Sequence, residues 1–172
     1  MKPVGHMAVV AGMAFLLAAA DVPAVQQVGD ALAAGSRARD AHKRVAAADL
    51  LVALGAVPAE GQNDLGLEWR KGKQRTPAYR DRILGPVYRG LTLDPGAAAR
   101  FEQSFFAGQT ARVAVVAVDH APVVLQVFDD EGKARCAAAR TICEWVPSWT
   151  TRVRVEVQNK GSQRGRFFVV MQ

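Results

Sequence analysis

Cysteine and histidine are scarce in this 172-residue chain, with two and three copies, and no apolar run is long enough to span a bilayer. Each shortage removes a class of function. A structural zinc site announces itself by cysteines two to four residues apart. Here Cys136 and Cys143 enclose six residues, and His42 and His120 stand far from them in sequence. No metal is expected on that set, and the missing C-x-x-C spacing excludes a dithiol redox motif. Neither G-x-S-x-G nor H-E-x-x-H occurs, so His120 beside Asp119 is read as an exposed loop histidine and not as a catalytic base. No enzyme activity and no cofactor follow. Tyr79 is too isolated to form a stacking platform for single-stranded nucleic acid, so no nucleic-acid partner is expected. The apolar stretch at residues 7–20 has fourteen residues, fewer than the roughly 20 a membrane helix needs.

That short stretch has a different reading. Lys2 precedes it, and Ala18, Ala19 and Ala20 close it before Asp21, which is the layout of a secretory signal peptide. Cleavage is expected near Ala20, with an exported mature chain in the periplasm or outside the cell and no membrane span. No cysteine follows the cleavage site, so no lipid anchor is expected. In an oxidising compartment Cys136 and Cys143 are most simply a structural disulfide, flanking a loop between successive short strands.

Formal net charge is +6, and removing Lys2 leaves +5. Residues 70–82 hold Arg70, Lys71, Lys73, Arg75, Arg80 and Arg82 against Asp81 alone, which is also +5. The remainder of the mature chain is therefore neutral. This basic run is the candidate site for an anionic partner, either an envelope polymer or an acidic protein.

The hydrophobic period divides the rest. Ala41, Val45, Ala48 and Val52 recur at helical spacing, so residues 21–58 are expected to form a helical hairpin. Ser36 is read as the cap of its second helix, Gly35 as the break before it, and Gly55 with Pro58 as its end. Residues 59–84 read as a basic linker with one short helix at 77–84. After Gly85 the period becomes two. Strands are expected at 87–93, 100–106, 111–118, 123–128, 152–158 and 166–171, with two shorter ones around the cysteines. Asp94-Pro95-Gly96, Asp130-Glu131-Gly132 and Asn159-Lys160-Gly161 supply the turns. About eight strands at this spacing predict a mainly β fold, an antiparallel β-sandwich or jelly roll over 85–172, preceded by a short α-helical segment.

The stretches "RFEQSFFAGQTARVAVVAV", "VVLQVFDDEGK" and "CEWVPSWTTRVRVEVQNKGSQRGRFFVV" together resemble the bacterial pre-peptidase C-terminal domain, a β-sandwich carried by many secreted proteins. The resemblance implies a non-enzymatic accessory or binding role, toward an envelope component or partner protein. A non-catalytic subunit acting in trans with a secreted peptidase or hydrolase is the alternative. Some relatives bind calcium, but Asp119, Asp129, Asp130 and Glu131 fall short of the six to eight oxygens calcium takes and are read as turn and strand-end residues. The Trp-x-Pro step places Trp145 in the core. Trp149 and Trp69 are left as candidate surface aromatics for recognition.

Overall fold

Val153, Val155 and Val157 are buried while Arg152 and Arg154 alternate with them into solvent, as a half-buried strand requires. The computed structural model describes residues 22–71, 85–136 and 141–172. The expected signal segment at 1–20, the expected helix at 77–84, and Lys73, Arg75, Arg80 and Arg82 lie outside the described residues.

The elements run α1 (Ala24–Arg37), α2 (Ala41–Ala53), β1 (Val57–Pro58), α3 (Leu65–Trp69), β2 (Val87–Leu93), β3 (Ala98–Phe105), β4 (Ala111–Ala117), β5 (Val123–Phe128), β6 (Ile142–Trp145), β7 (Thr151–Asn159) and β8 (Gly165–Met171). One sheet has the order β1-β2-β8-β4-β6 and the other β3-β7-β5. The fold is mainly β and sandwich-like. Val113, Val115, Leu125, Val127, Val155, Phe167 and Val169 pack between the two sheets.

The helical segment is a third layer. Val25, Val28 and Leu32 of α1 pack with Tyr88, Ala114, Val118, Phe168 and Val170 on the outer face of the five-stranded sheet. A strand covered on both faces needs apolar side chains on both, which explains the unbroken run from Phe167 to Met171. Gly29 permits the close approach, because a Cβ there would press on the Val116 side chain. Tyr88 fastens α3 to the same face. Its hydroxyl accepts from the Leu65 N–H at 2.9 Å and donates to the Asn63 carbonyl at 3.4 Å, and burial pushes its pKa up to about 12.

Several sequence expectations need correction. α1 continues through Gly35 and Ser36 to Arg37, and Asp40, not Ser36, caps α2 by accepting from the His42 N–H at 2.9 Å. Gly35 lies within α1 because the Trp69 ring lies against it, where any Cβ would overlap the indole. The stretch expected to be a linker contains α3, capped by Asp64. Gly55 does sit just past the end of α2, with a φ of 67°. The pairing is not wholly antiparallel, since β1 joins β2 in parallel. Among the described residues, β6 is the one true strand at the cysteines. The segment before Cys136 makes a single bridge, Ala134 to Phe128.

Candidate functional site

Strand alternation and turn geometry put an apolar knuckle at one end of the sandwich. Phe105, the last residue of β3, is buried, so its neighbour Phe106 turns outward and is 53% exposed. Trp145, which ends β6, packs edge-on against Phe105 with ring centroids 5.0 Å apart. The loop that follows carries Val146 at 60% and Trp149 at 59% exposure. Hydrogen bonds join the two loops. The Gly108 N–H donates to the Pro147 carbonyl at 2.9 Å, and the Ala107 N–H to the Thr150 hydroxyl at 3.3 Å. Gly108 takes a φ of 72°, a conformation glycine adopts without strain. Pro147 is buried beneath the turn.

The nearest charges are satisfied within the chain. Arg112 pairs with Glu144 at 2.7 Å and Arg152 with Glu102 at 3.0 Å. The disulfide between Cys136 and Cys143, with Cα atoms 5.7 Å apart, anchors β6 from the core side, where Cys143 is buried. The knuckle is therefore an exposed aromatic and aliphatic surface on a fixed base. Trp149 is a candidate surface aromatic in the sequence and is exposed here, whereas Phe106 and Val146 are not among the sequence candidates. The Phe105-Phe106 doublet at a strand end was the available signal, because alternation must expose one of the two.

Of the basic run, Arg70 and Lys71 lie among the described residues. Arg70 is half-buried, with most of its side chain covered, and forms an ion pair with Asp49 of α2, so its guanidinium is already occupied. Lys71 is exposed, with a φ of 54°. Arg70 and Lys71 border an open cleft of about 610 Å³, together with His42, Val45, Asp49 and Trp69. Trp69 is half-buried against α1 and so offers less surface than a free indole.

The acidic residues are used locally. Buried Asp129 accepts from the Lys133 N–H at 2.7 Å and pairs with Arg135 at 3.1 Å, shaping the turn that holds exposed Asp130 and Glu131. Asp119 pairs with Arg166 at 3.2 Å, and that hydrogen bond holds its carboxyl below the usual range. His120, at a φ of 57°, contacts the Arg37 guanidinium at 3.4 Å. Among the described residues no three acidic, histidine or cysteine side chains gather as metal ligands would.

No protein-family model and no curated protein matches the chain. The solved structures that are similar to it include two at low identity. One is PliG of Aeromonas hydrophila, a periplasmic inhibitor of g-type lysozyme, at 11% identity and a TM-score of 0.40, covering 68% of this chain and 96% of that one. The other is PirA, at 14% identity and a TM-score of 0.33, covering 49% of this chain and 93% of that one. Neither, at that similarity, assigns a function to this chain.

Proposed function

We propose that this chain is an exported, non-enzymatic binding protein that docks a partner protein with the loop end of its sandwich. One observation carries the reading: Phe106, Val146 and Trp149 are all more than half exposed on two loops hydrogen-bonded to each other. Leaving apolar surface in water is unfavourable, and a cluster of it on a rigid base marks a contact surface. Tryptophan is also among the residues that dominate binding energy when covered. The surrounding ion pairs are closed within the chain, so the partner is expected to present an apolar recess. A polyanion fits this surface poorly.

The disulfide and the signal-like N-terminus support export. The pre-peptidase C-terminal resemblance supports an accessory role, and a secreted peptidase or hydrolase as the partner is the narrower form of this reading. An anionic partner at residues 70–82 is the weaker reading, because Arg70 is committed to Asp49.

The test uses the mature protein as bait in envelope extract, beside a Phe106→Ser/Trp149→Ser variant, followed by titration of the captured protein against both. Wild type should bind and the variant should lose binding while melting at the same temperature. Equal affinity of the two, or loss of binding only when residues 70–82 are neutralised, overturns the reading.

A further inference from the structure

A sheet edge displays unpaired N–H and C=O groups, and proteins blunt it by covering it, pairing it, or interrupting it with proline or a bulge. The β2 side of the five-stranded sheet is closed in this way. β1 pairs with it at Val87 and Tyr88, the Ala59 N–H donates to the Tyr88 carbonyl at 2.8 Å, and the Gln62 side chain accepts from the Gly90 N–H at 2.9 Å. β3 is treated differently. It pairs with β7 along its whole length, and no segment pairs with its other side among the described residues. Its eight residues, AARFEQSF, contain no proline, glycine or break in register.

The direction of the free groups follows from the ladder. The Asn159 N–H donates to the Ala97 carbonyl at 3.0 Å, so the odd-numbered residues of this strand turn their main-chain groups toward β7. Alternation then leaves Ala98, Arg100, Glu102 and Ser104 with N–H and C=O on the open side. Consistent with this, the Ser104 carbonyl accepts from the Gln103 side-chain amide at 3.1 Å. The side chains of Arg100 and Glu102 stand on the solvent face, where Arg100 binds Glu156 at 2.7 and 3.1 Å and Glu102 accepts from Arg152 at 3.0 Å.

We infer that this edge pairs with β3 of a second copy of the chain, antiparallel about a two-fold axis at Phe101. In that register Arg100 stands opposite Glu102 of the second copy, and Glu102 opposite its Arg100. Ala98 faces Ser104 in the same way. All of these are positions with outward main-chain groups, so each pair exchanges two hydrogen bonds, and Phe101 meets its counterpart at a non-hydrogen-bonded site. Unlike charges directly opposite each other stabilise a strand pair, and like charges oppose it.

The charges also select the register. Moving the second strand by two residues one way sets Arg100 against Arg100, and moving it the other way sets Glu102 against Glu102. The surface is thus self-complementary, as an isologous two-fold contact must be. The ion pairs already present become a ladder running from Glu156 through Arg100 to Glu102 and Arg152 of the second copy. A single strand pair is a small interface by the standard of permanent dimers. The dimer is therefore reversible and its population rises with protein concentration.

Sedimentation velocity of the mature protein over a concentration series tests this. Wild type should show a monomer–dimer equilibrium. Glu102→Arg and Arg100→Glu should each weaken association about tenfold or more, because each sets like charges opposite one another. The swapped variant, Arg100→Glu with Glu102→Arg, should recover it, with unchanged circular dichroism in all forms. Under oxidation Phe101→Cys should give an interchain disulfide, since that residue meets itself, while Ala98→Cys should not. A wild type that stays monomeric at every concentration overturns the inference. So does a dimer indifferent to the single changes, a swap that restores nothing in folded protein, or a crosslink at residue 98 in place of 101.

Discussion

The side-chain amide of Asn159 donates to the main-chain carbonyl of Leu93 at 3.0 Å, and this bond joins the two sheets. Asn159 ends β7 in one sheet and Leu93 ends β2 in the other. The same amide donates to the Gln163 carbonyl at 2.8 Å, and the side-chain oxygen accepts from the Gly161 N–H at 2.8 Å. Asn159 is fully buried, so water cannot replace these partners. Asn159→Ala is expected to cost about 2–4 kcal/mol, from two orphaned carbonyls and an orphaned N–H at roughly 1–3 kcal/mol each with partial relaxation. Asn159→Asp should be worse, because a carboxylate cannot donate. Urea unfolding measures both, and a wild-type midpoint for Asn159→Ala would remove the joint from the account of stability.

The disulfide leads to a second expectation. Cys136 and Cys143 close a loop of eight residues, and on the chain-entropy model such a closure stabilises by about 2.5 kcal/mol. Replacing both with alanine should lower stability by about that amount and loosen β6, whose Cys143 pairs with Val113 in the core. The exported protein should be two hydrogens lighter than the dithiol by mass spectrometry. Free thiols in the folded form would contradict the bond.

Acid should weaken the fold through Glu156. Arg100 donates two hydrogen bonds to it and holds its carboxyl below the ordinary glutamate range. A carboxylate depressed on folding adds stability that is fully present above its unfolded pKa and lost as pH falls through the folded value. Glu156→Gln should therefore be less stable than wild type near neutral pH, with the difference vanishing in acid below the folded pKa. The measurement is the urea midpoint of both proteins across pH, and a difference that stays constant would assign the loss to packing.

The strands were legible because alternation is a local signal: Val153, Val155 and Val157 announce their face without reference to any other segment. Asn159-Lys160-Gly161 was legible as a turn for the same reason. What it joins was not, because Leu93 is distant in sequence and the bond exists only once two sheets meet. Gly35 has the look of a helix break in the sequence, but it lies inside α1, where it accommodates Trp69. The sequence signal for the docking of this helix is the apolar run from Phe167 to Met171, which implies a sheet covered on both faces. Composition groups Arg70 with the basic segment, and its pairing with Asp49 of α2 is not legible there because the two residues are distant in sequence.

Phe105 and Phe106 separate core from the proposed contact surface within one dipeptide. Phe105 is buried beneath Trp145, and Phe106 is exposed beside the Trp149 loop. Phe105→Ala removes packed ring atoms and leaves a cavity, which typically costs about 3–5 kcal/mol. Phe106→Ser takes an apolar ring out of water and should leave stability within about 0.5 kcal/mol of wild type. The order should reverse for partner binding, where truncating an exposed aromatic that becomes buried costs roughly 2 kcal/mol or more. Phe105→Ala should affect binding only through the fraction unfolded. Thermal melts and a binding isotherm on the same two variants decide the matter, and a Phe106→Ser protein that melts early but binds normally would place that ring in the core and remove it from the proposed surface.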